Sequence, residues 1–272
     1  MQSVGIAAAL QSLRFASSHS IAFLRLVLGW AAIYLAVVLL YALLTRPAGV
    51  TFAQQLGSAG GGGGGRLLAL IPSFLGNLAV SVLWMRYILL DEEPRNPFAL
   101  RAEMGSYFGR SLQIGILGLL AAVPGLIIAF AASGALGSGG SLGTVIFVVF
   151  LVIAFISALV VYARLQVMLA VTAVGDSITV RETFDLTKGR TPGLVGGWLL
   201  SYLLPLIVLI VAAVLIRVIS TSGFATMATI ATEILNGLYS FGAAVLLAGF
   251  TAFVLQALDP QHSTDKIART FT

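Results

Sequence analysis

The sequence predicts an all-α protein that crosses a membrane six times, and three observations lead to this class. Only 9% of the 272 residues are charged, and the mean hydropathy is +1.04. A soluble domain has about 25% charged residues, so this chain lacks the polar side chains that a water-exposed surface requires. Its apolar residues also gather in six runs, and a helix needs about 20 such residues to span a bilayer. We therefore expect a single polytopic membrane domain over residues 1–272.

The segment before the first apolar run, residues 1–20, carries one charge, Arg14. Ile6, Leu10 and Leu13 recur at helical spacing, which predicts a short amphipathic helix lying at the membrane surface. The alternative is a disordered tail. A cleaved signal peptide is not expected, because the apolar run that follows is too long and no cleavage site comes after it.

Interfacial residues mark the ends of several predicted spans, because arginine side chains snorkel and aromatic rings favour the headgroup region. Arg25 lies at the start of the first span, Arg86 at the end of the second and Arg164 at the end of the fourth. Polar or glycine-rich stretches separate the runs. The predicted spans cover residues 24–44, 67–90, 112–136, 142–165, 193–216 and 234–258.

Two polar segments are predicted to form amphipathic interfacial helices, one before the third span and one before the fifth. The first begins at Asn96-Pro97, an N-cap residue followed by proline at the first helical position. The second begins at Thr179 with a capping box, in which the Thr179 hydroxyl accepts from the Glu182 amide and the Glu182 carboxylate reaches back. Gly189 supplies its stop. Residues 218–233 are expected to form a loop with some helical pattern.

Arginine and glycine recur at the same spacing in these two segments, which suggests an internal repeat. Aligning Arg110 with Arg190 pairs the segments without a gap and brings Pro124 within one position of Pro205. The chain then consists of units that each place a surface helix before a transmembrane hairpin, and residues 1–90 would be a third copy. The alternative is that basic amphipathic helices before spans resemble one another anyway.

The C-terminal half contains Tyr162-Ala-Arg-Leu-Gln-Val-Met-Leu-Ala-Val-Thr-Ala-Val-Gly-Asp, a segment that ends Leu186-Thr-Lys-Gly-Arg190, and a span directly after it. These stretches, over residues 160–205, are similar to the membrane domain of the glycerophosphoryl diester phosphodiesterase family. They also resemble related six-helix bacterial inner-membrane proteins of unknown function. No part of the sequence resembles the family's catalytic domain, and Ala170-Val171 stands where a proline is expected. The resemblance therefore implies the membrane fold and not the enzyme activity.

The distribution of basic residues predicts the orientation. Twelve of the fifteen Lys and Arg residues lie in the N-terminal segment, the second and fourth loops and the C-terminal tail, which six spans place on one side. By the positive-inside rule this side is the cytoplasm. We expect a multi-pass protein of the bacterial inner membrane with both termini cytoplasmic.

The predicted spans contain no Asp, Glu, Lys, Arg or His between their interfacial arginines, and the chain has no cysteine. An ionisable group within the bilayer is costly and commonly marks a proton or ion path, so its absence counts against a proton-coupled transporter. Asn77, Gln113 and Asn236 are the notable polar residues that remain. Each is expected to form a hydrogen bond with a neighbouring helix.

Three prolines lie inside predicted spans: Pro72, Pro124 and Pro205. Proline kinks a helix, and three kinks would open a central cavity; irregular packing is the alternative. Gly193 and Gly197 form a GxxxG pair. We interpret this pair as internal helix packing, with a dimer face as the alternative.

No catalytic residue, metal site or cofactor is predicted. A membrane enzyme that acts on lipid headgroups would need acids of the second and fourth loops, such as Glu92 and Asp176, to meet around a metal ion. Basic residues are interleaved with these acids, which favours local pairing at solvated helix ends.

The basic residues of the two interfacial helices suggest a lipid partner, since anionic headgroups attract juxtamembrane Lys and Arg with about 1 kcal/mol each. We expect a non-enzymatic protein that organises or senses the bilayer, or scaffolds membrane partners, through these helices. The same residues could instead serve only to set the topology. The alternative functions are a lipid or small-molecule transporter with a proline-kinked cavity and a lipid-headgroup enzyme. Anionic phospholipids are the expected partners, with a second protein or further copies of the chain as alternatives, and nucleic acid is not expected. The candidate headgroup-binding residues are Arg101, Arg110, Arg181, Lys188 and Arg190.

Overall fold

The structure is a computed structural model that describes residues 4–45, 63–135, 141–221 and 225–259. Within these ranges the regular elements are α-helices, which confirms the predicted all-α class. Six of them are long and apolar enough to cross a membrane, as predicted. Most of the first loop, the turn at 136–140 and the tail from residue 260 lie outside the described residues. The helices are α1 (Val4–Ser18), α2 (Ser20–Leu44), α3 (Gly63–Leu90), α4 (Glu103–Ala135), α5 (Ser141–Leu165), α6 (Val167–Ala173), α7 (Val180–Leu186), α8 (Thr191–Thr221) and α9 (Ala225–Leu258).

The interfacial helix predicted before the third span is not a separate element. Helix α4 runs without a break from Glu103 into the span. The predicted cap residue, Asn96, lies in the preceding turn, where its Oδ1 accepts a hydrogen bond from the Phe98 amide at 2.9 Å. Met104 and Tyr107 of this segment are buried, whereas Leu100 and Phe108 are 74% and 41% exposed, so the segment is only partly packed into the bundle.

The stretch 218–233, predicted as a loop, is helical wherever the structure describes it. Helix α8 continues to Thr221, and α9 begins at Ala225. The first turns of α9 are held by tertiary packing, because Ala228 and Glu233 are both buried. The predicted start of the last span, residue 234, is therefore nine residues later than the start of α9 at Ala225.

Helix α9 is the central element of the bundle. It packs against α1, α2, α3, α6 and α8. In its most apolar window 67% of the residues are buried, against 6% in the corresponding windows of α5 and α8. Helices α5 and α8 are therefore peripheral, and they direct most of their apolar side chains outward to where lipid would lie.

The longest helices exceed the hydrocarbon thickness of a bilayer. Helix α9 has 34 residues, which at 1.5 Å per residue gives about 51 Å against about 30 Å of hydrocarbon. The bundle is densely packed at the end where α3 and α9 finish: every residue of α6 is buried there, as are Trp84 of α3 and Phe250 of α9. We call this packed end, formed by α1, α6, α7 and the adjoining ends of α3, α5 and α9, the cap.

Helix α1 forms as predicted but buries a different face. Its predicted apolar stripe is largely outside, since Ile6 and Leu10 are 40% and 39% exposed. The buried face consists of small residues, which let backbones approach closely. Gly5 lies so close to α8 that a Cβ atom there would collide with the Gly193 carbonyl. At the other end of α1, the Phe15 ring packs edge-on against Trp84 of α3. Helix α1 therefore crosses over the bundle, and the buried residues of its small-residue face are Gly5, Ala8, Ala9, Ser12 and Ala16.

The GxxxG pair in α8 serves this internal contact. A Cβ atom at Gly197 would meet the backbone carbonyl of Gly5, and Gly193 faces the same residue.

The six long helices pair as three hairpins, α2 with α3, α4 with α5, and α8 with α9. A separate short helix precedes the first and third hairpins but not the second, so the predicted repeat unit is incomplete.

Candidate functional site

A polar cavity of about 360 Å³ lies where α3, α4, α5, α8 and α9 converge next to the cap. Four tyrosines from four helices line it: Tyr107 of α4, Tyr162 of α5, Tyr202 of α8 and Tyr239 of α9. Its other polar lining residues are amides and hydroxyls, and no Asp, Glu, Lys, Arg or His is among the lining residues that the structure describes. The tyrosine cavity, as we call it, is therefore an uncharged chamber rich in hydrogen-bonding groups.

Two amide side chains of the tyrosine cavity are left with unsatisfied atoms. Asn77 of α3 donates from Nδ2 to the Ser240 hydroxyl at 3.2 Å, but its buried Oδ1 has no partner among the described residues. Gln166, at the junction of α5 and α6, is 1% exposed; its Oε1 accepts only a long bond of 3.4 Å from Thr251, and its Nε2 has no partner there. Buried amide groups without partners are costly, so both side chains point to a ligand or bound water.

The tyrosines lie where the lipid-facing surface begins. From Ser141 to Tyr162 in α5, and from Tyr202 to Thr221 in α8, the chain covers about 20 residues, which is the length of one span. Apolar side chains in these stretches point outward; Phe155 is 65% exposed. Because tyrosine rings favour the headgroup region, we expect the cavity to lie at the depth of the lipid headgroups on the cap side.

An apolar groove of about 380 Å³ adjoins the tyrosine cavity between α4, α5 and α8. Tyr162 and Tyr202 line both spaces. The Trp198 ring packs against both tyrosines, with centroids 5.8 Å from Tyr162 and 4.5 Å from Tyr202, and its buried Nε1 has no partner among the described residues. These three rings form the boundary between the cavity and the groove. On the outer side, Leu119 is 69% exposed, so the groove is open to the surrounding lipid.

Arg86, predicted to snorkel at the end of the second span, is instead buried in the cap and 8% exposed. It binds the Glu92 carboxylate with two hydrogen bonds of 2.7 and 3.0 Å and the Glu103 carboxylate with a third of 2.9 Å. It also donates to the Ala173 carbonyl at the end of α6. This guanidinium therefore ties together the end of α3, the start of α4 and α6, and it holds the pKa of the Glu92 carboxyl below its ordinary value of 4.5.

Two of the five predicted headgroup-binding residues are engaged within the protein. Arg101 forms a 3.0 Å ion pair with Glu92 and so belongs to the Arg86 network. Arg110 donates to the Gln113 side chain at 2.8 Å. These two residues therefore also hold the start of α4 and the loop before it in place, and Arg101 itself stays exposed.

The other three predicted residues lie on or next to α7, and all three are exposed: Arg181, Lys188 and Arg190. Helix α7 is held by the predicted capping box at Thr179, and by Arg164, whose guanidinium donates to the Phe184 carbonyl and the Thr187 hydroxyl. We call these three exposed residues the α7 basic face.

The polar residues and prolines of the predicted spans do not converge on one path. Asn77 lines the tyrosine cavity, but neither Gln113 nor Asn236 does. None of the three prolines lines it either. Pro205 lines a separate apolar pocket between α1, α2, α8 and α9, whereas Pro72 is buried within α3 and Pro124 is exposed on α4. Proline kinks thus do not account for the cavity.

The expectation that the spans contain no ionisable residue is wrong. Glu233 belongs to α9, is 6% exposed, and accepts a hydrogen bond of 3.0 Å from the Tyr34 hydroxyl of α2. It was assigned to a loop because the start of α9 was placed too late. The hydrogen bond from the Tyr34 hydroxyl offsets part of the free-energy cost of burying this carboxylate between helices.

Acids of the second and fourth loops do approach each other, in a cleft of about 550 Å³ at the cap surface. Glu103 and Asp176 both line this cleft, together with Arg110. Glu92, the other predicted acid, is instead bound by Arg86. Among the described residues no group of three or more His, Cys, Asp or Glu side chains could hold a metal ion.

Sequence reasoning missed the tyrosine cavity. Of its four tyrosines only Tyr162 lies in the Tyr162–Asp176 stretch singled out from the sequence, and Gln166 lies in the same stretch without a predicted role. The usable signal was a lone glutamine among apolar residues directly after Arg164-Leu165, since a buried amide requires a partner.

A comparison of the chain with protein-family models, curated proteins and solved structures finds no match.

Proposed function

We propose that this chain is a non-enzymatic integral membrane protein that binds the polar end of a membrane lipid in the tyrosine cavity. The observation that carries the proposal is the pair of buried amide atoms there, Asn77 Oδ1 and Gln166 Nε2, that lack a partner among the described residues. One accepts a hydrogen bond and the other donates one, so a ligand that bears a hydroxyl and a carbonyl oxygen would satisfy both.

The chemistry of the cavity supports binding without conversion. Its polar groups are phenols, aliphatic hydroxyls and amides, and none of these is a strong acid or base at neutral pH. A bound lipid would therefore be held and oriented, which suits a role in sensing or organising the bilayer.

A second proposed contact is the binding of anionic phospholipid by the α7 basic face. The three cations are exposed. Headgroup attraction would contribute about 1 kcal/mol for each of them. These are three of the five candidate residues expected from the sequence.

The cap faces the cytoplasm in this proposal, and the setting is the bacterial inner membrane. The excess of Lys and Arg in the segments that form or adjoin the cap supports this orientation. The resemblance of residues 160–205 to the membrane domain of the glycerophosphoryl diester phosphodiesterase family agrees with a lipid-rich setting.

Native mass spectrometry of the protein, extracted gently with its own lipids, tests the proposal. The wild type should retain a bound lipid, and the double variant Asn77→Leu/Gln166→Leu should lose it. The matched control is Asn236→Leu, which removes an exposed amide of α9 outside the cavity and should leave occupancy unchanged. A lipid-free wild type, or equal occupancy in the double variant, would refute lipid binding in the cavity. A second polypeptide in place of lipid would favour the scaffold function.

A further inference from the structure

We infer that the ligand of the tyrosine cavity is an uncharged glycerolipid of the diacylglycerol class, which reaches the cavity from the bilayer through the groove between α4, α5 and α8. The inference rests on the proposed function, because it names the class of lipid that the cavity holds. Three properties carry it: the absence of charged side chains among the described lining residues of the cavity, the shared wall of Tyr162 and Tyr202 between groove and cavity, and the Trp198 donor at this wall.

The lining of the cavity disfavours a phosphate. No cationic side chain is among the lining residues that the structure describes. The nearby guanidinium of Arg164 is directed to α7, where it donates to the Phe184 carbonyl and the Thr187 hydroxyl. A phosphate placed among phenols and amides would lose its hydration without gaining a counter-charge, which costs several kcal/mol. A free hydroxyl needs only one donor and one acceptor, and amides and phenols supply these.

The groove has the shape and polarity to hold an acyl chain. Glycines on α4 leave it open: a Cβ atom at Gly115 would meet no atom within 4 Å, and one at Gly118 would lie 3.7 Å from the Ala158 carbonyl. The remaining wall is apolar, and Phe155 and Leu119 at its rim are exposed to the lipid side. An acyl chain in the groove would therefore stay in contact with the bilayer while its glycerol end lies beyond the tyrosines.

The boundary between groove and cavity carries a donor suited to an ester group. The indole Nε1 of Trp198 is buried and lacks a partner among the described residues, and its ring packs against Tyr162 and Tyr202. An ester carbonyl of a glycerolipid that passes between these rings would accept from this nitrogen. The free hydroxyl would then lie deeper, towards Asn77 and Gln166, which satisfies three orphaned polar atoms with one molecule.

Photocrosslinking with two probes tests the inference. A photoreactive diacylglycerol and the phosphatidic acid with identical acyl chains differ only by the phosphate. In phosphatidylcholine vesicles that contain the full-length protein, we expect the diacylglycerol to label peptides of α4, α5 and α8 at least about tenfold more than the phosphatidic acid, a preference of 1.4 kcal/mol. Equal labelling, or preference for the phosphatidic acid, would overturn the inference while leaving lipid binding intact. Labelling by neither probe would count against the proposed function as well.

Three variants separate the groove from general effects on folding. Gly115→Leu fills the groove and should reduce diacylglycerol labelling at least about fivefold, which is 1 kcal/mol. Gly134→Leu, at an open position near the far end of the same helix, should have no effect. Ser111→Lys places a cation in the cavity wall and should shift the preference towards phosphatidic acid. Unchanged labelling in Gly115→Leu and unchanged preference in Ser111→Lys would together refute the route and the site.

Discussion

Arg86 is the residue on which the cap depends most. Its guanidinium is buried and makes four hydrogen bonds, to two carboxylates and one carbonyl, on three separate parts of the chain. Its position at the end of a predicted span favours snorkelling to the headgroups. The structure instead encloses it between the end of α3, the start of α4 and α6, because carboxylates and a carbonyl from these segments satisfy its guanidinium.

Replacing Arg86 should destabilise the protein strongly. Arg86→Met keeps the aliphatic stem but leaves Glu92 and Glu103 partly buried without a counter-charge, and we expect a loss of about 3 kcal/mol in the free energy of unfolding. Chemical denaturation in mild detergent measures this. Arg25→Met is the matched control, because the Arg25–Glu93 pair is 3.8 Å long and half exposed, and it should cost less than about 1 kcal/mol. Equal effects of the two substitutions would contradict the buried network.

Acid should weaken the same network. The pKa of the Glu92 carboxyl lies below its ordinary value of 4.5, mainly because Arg86 donates hydrogen bonds to it. A lowered pKa means that the folded state favours the ionised carboxylate, so this contribution is complete above about pH 4.5 and is lost as the pH falls through the lowered value. The melting temperature of the wild type should therefore fall in this acidic range, and that of Glu92→Gln should fall less. Glu93→Gln is the control. If the melting temperature of Glu92→Gln fell with pH as steeply as that of the wild type, Glu92 would not be the group responsible for the acid sensitivity.

At the scale of single elements, α1 and α4 show how tertiary packing decides between two helical faces. The apolar stripe of α1 was visible in the sequence, yet the small-residue face is the buried one because it meets the glycines of α8. In α4 the segment expected to form a surface helix continues directly into the span, so one helix replaces the two that the sequence predicts. Local patterns could predict that these segments are helical, but which face is buried depends on residues far away in the chain.

The contact of α1 with α8 should not tolerate a methyl group. In Gly5→Ala the new Cβ atom would collide with the Gly193 carbonyl, and we expect a loss of about 1–3 kcal/mol from overpacking. Thermal unfolding in detergent, together with protease cleavage of a displaced α1, measures the effect. Gly105→Ala in α4 meets no atom within 4 Å and should be neutral or stabilising by about 1 kcal/mol. An unchanged stability of Gly5→Ala would mean that α1 does not pack against Gly193 and Gly197 of α8.

The capping box of α7 was predicted from sequence and is present, because it depends on residues three apart. Thr179→Ala removes the acceptor of the Glu182 amide, a bond of 3.2 Å, and should cost about 1 kcal/mol of local stability. Hydrogen exchange of the α7 amides should accelerate accordingly. Glu182→Gln keeps an acceptor for the Thr179 amide and should change exchange far less. Equal acceleration in both variants would show that charge, and not the Thr179 cap, holds the helix.

At the scale of the whole molecule, the six spans could be predicted because length and hydropathy are local properties. The tyrosine cavity could not, because its residues come from five long helices and from the α5–α6 junction, and they become neighbours only through packing. Tyr107 and Gln166 are separated by more than fifty residues in the chain, and neither carries a motif. Glu233 was missed for another reason: a boundary error of nine residues removed it from its helix.

The topology can be tested without altering the background, since the chain has no cysteine. Single cysteines at Ser18 and Ser177 lie on the cap side, and one at Thr45 lies at the opposite end of α2. An impermeant maleimide added to spheroplasts should label Thr45→Cys alone, and added to inverted vesicles it should label Ser18→Cys and Ser177→Cys. Labelling of all three from one side would contradict the arrangement of spans.

The seat of α1 has a consequence for membrane insertion. Among the described helices, α1 is synthesised before α8 and α9, the two helices against which it mainly packs. Until both have been made, the small-residue face of α1 lacks the surface that buries it, so the cap can be completed only after α9 has been inserted.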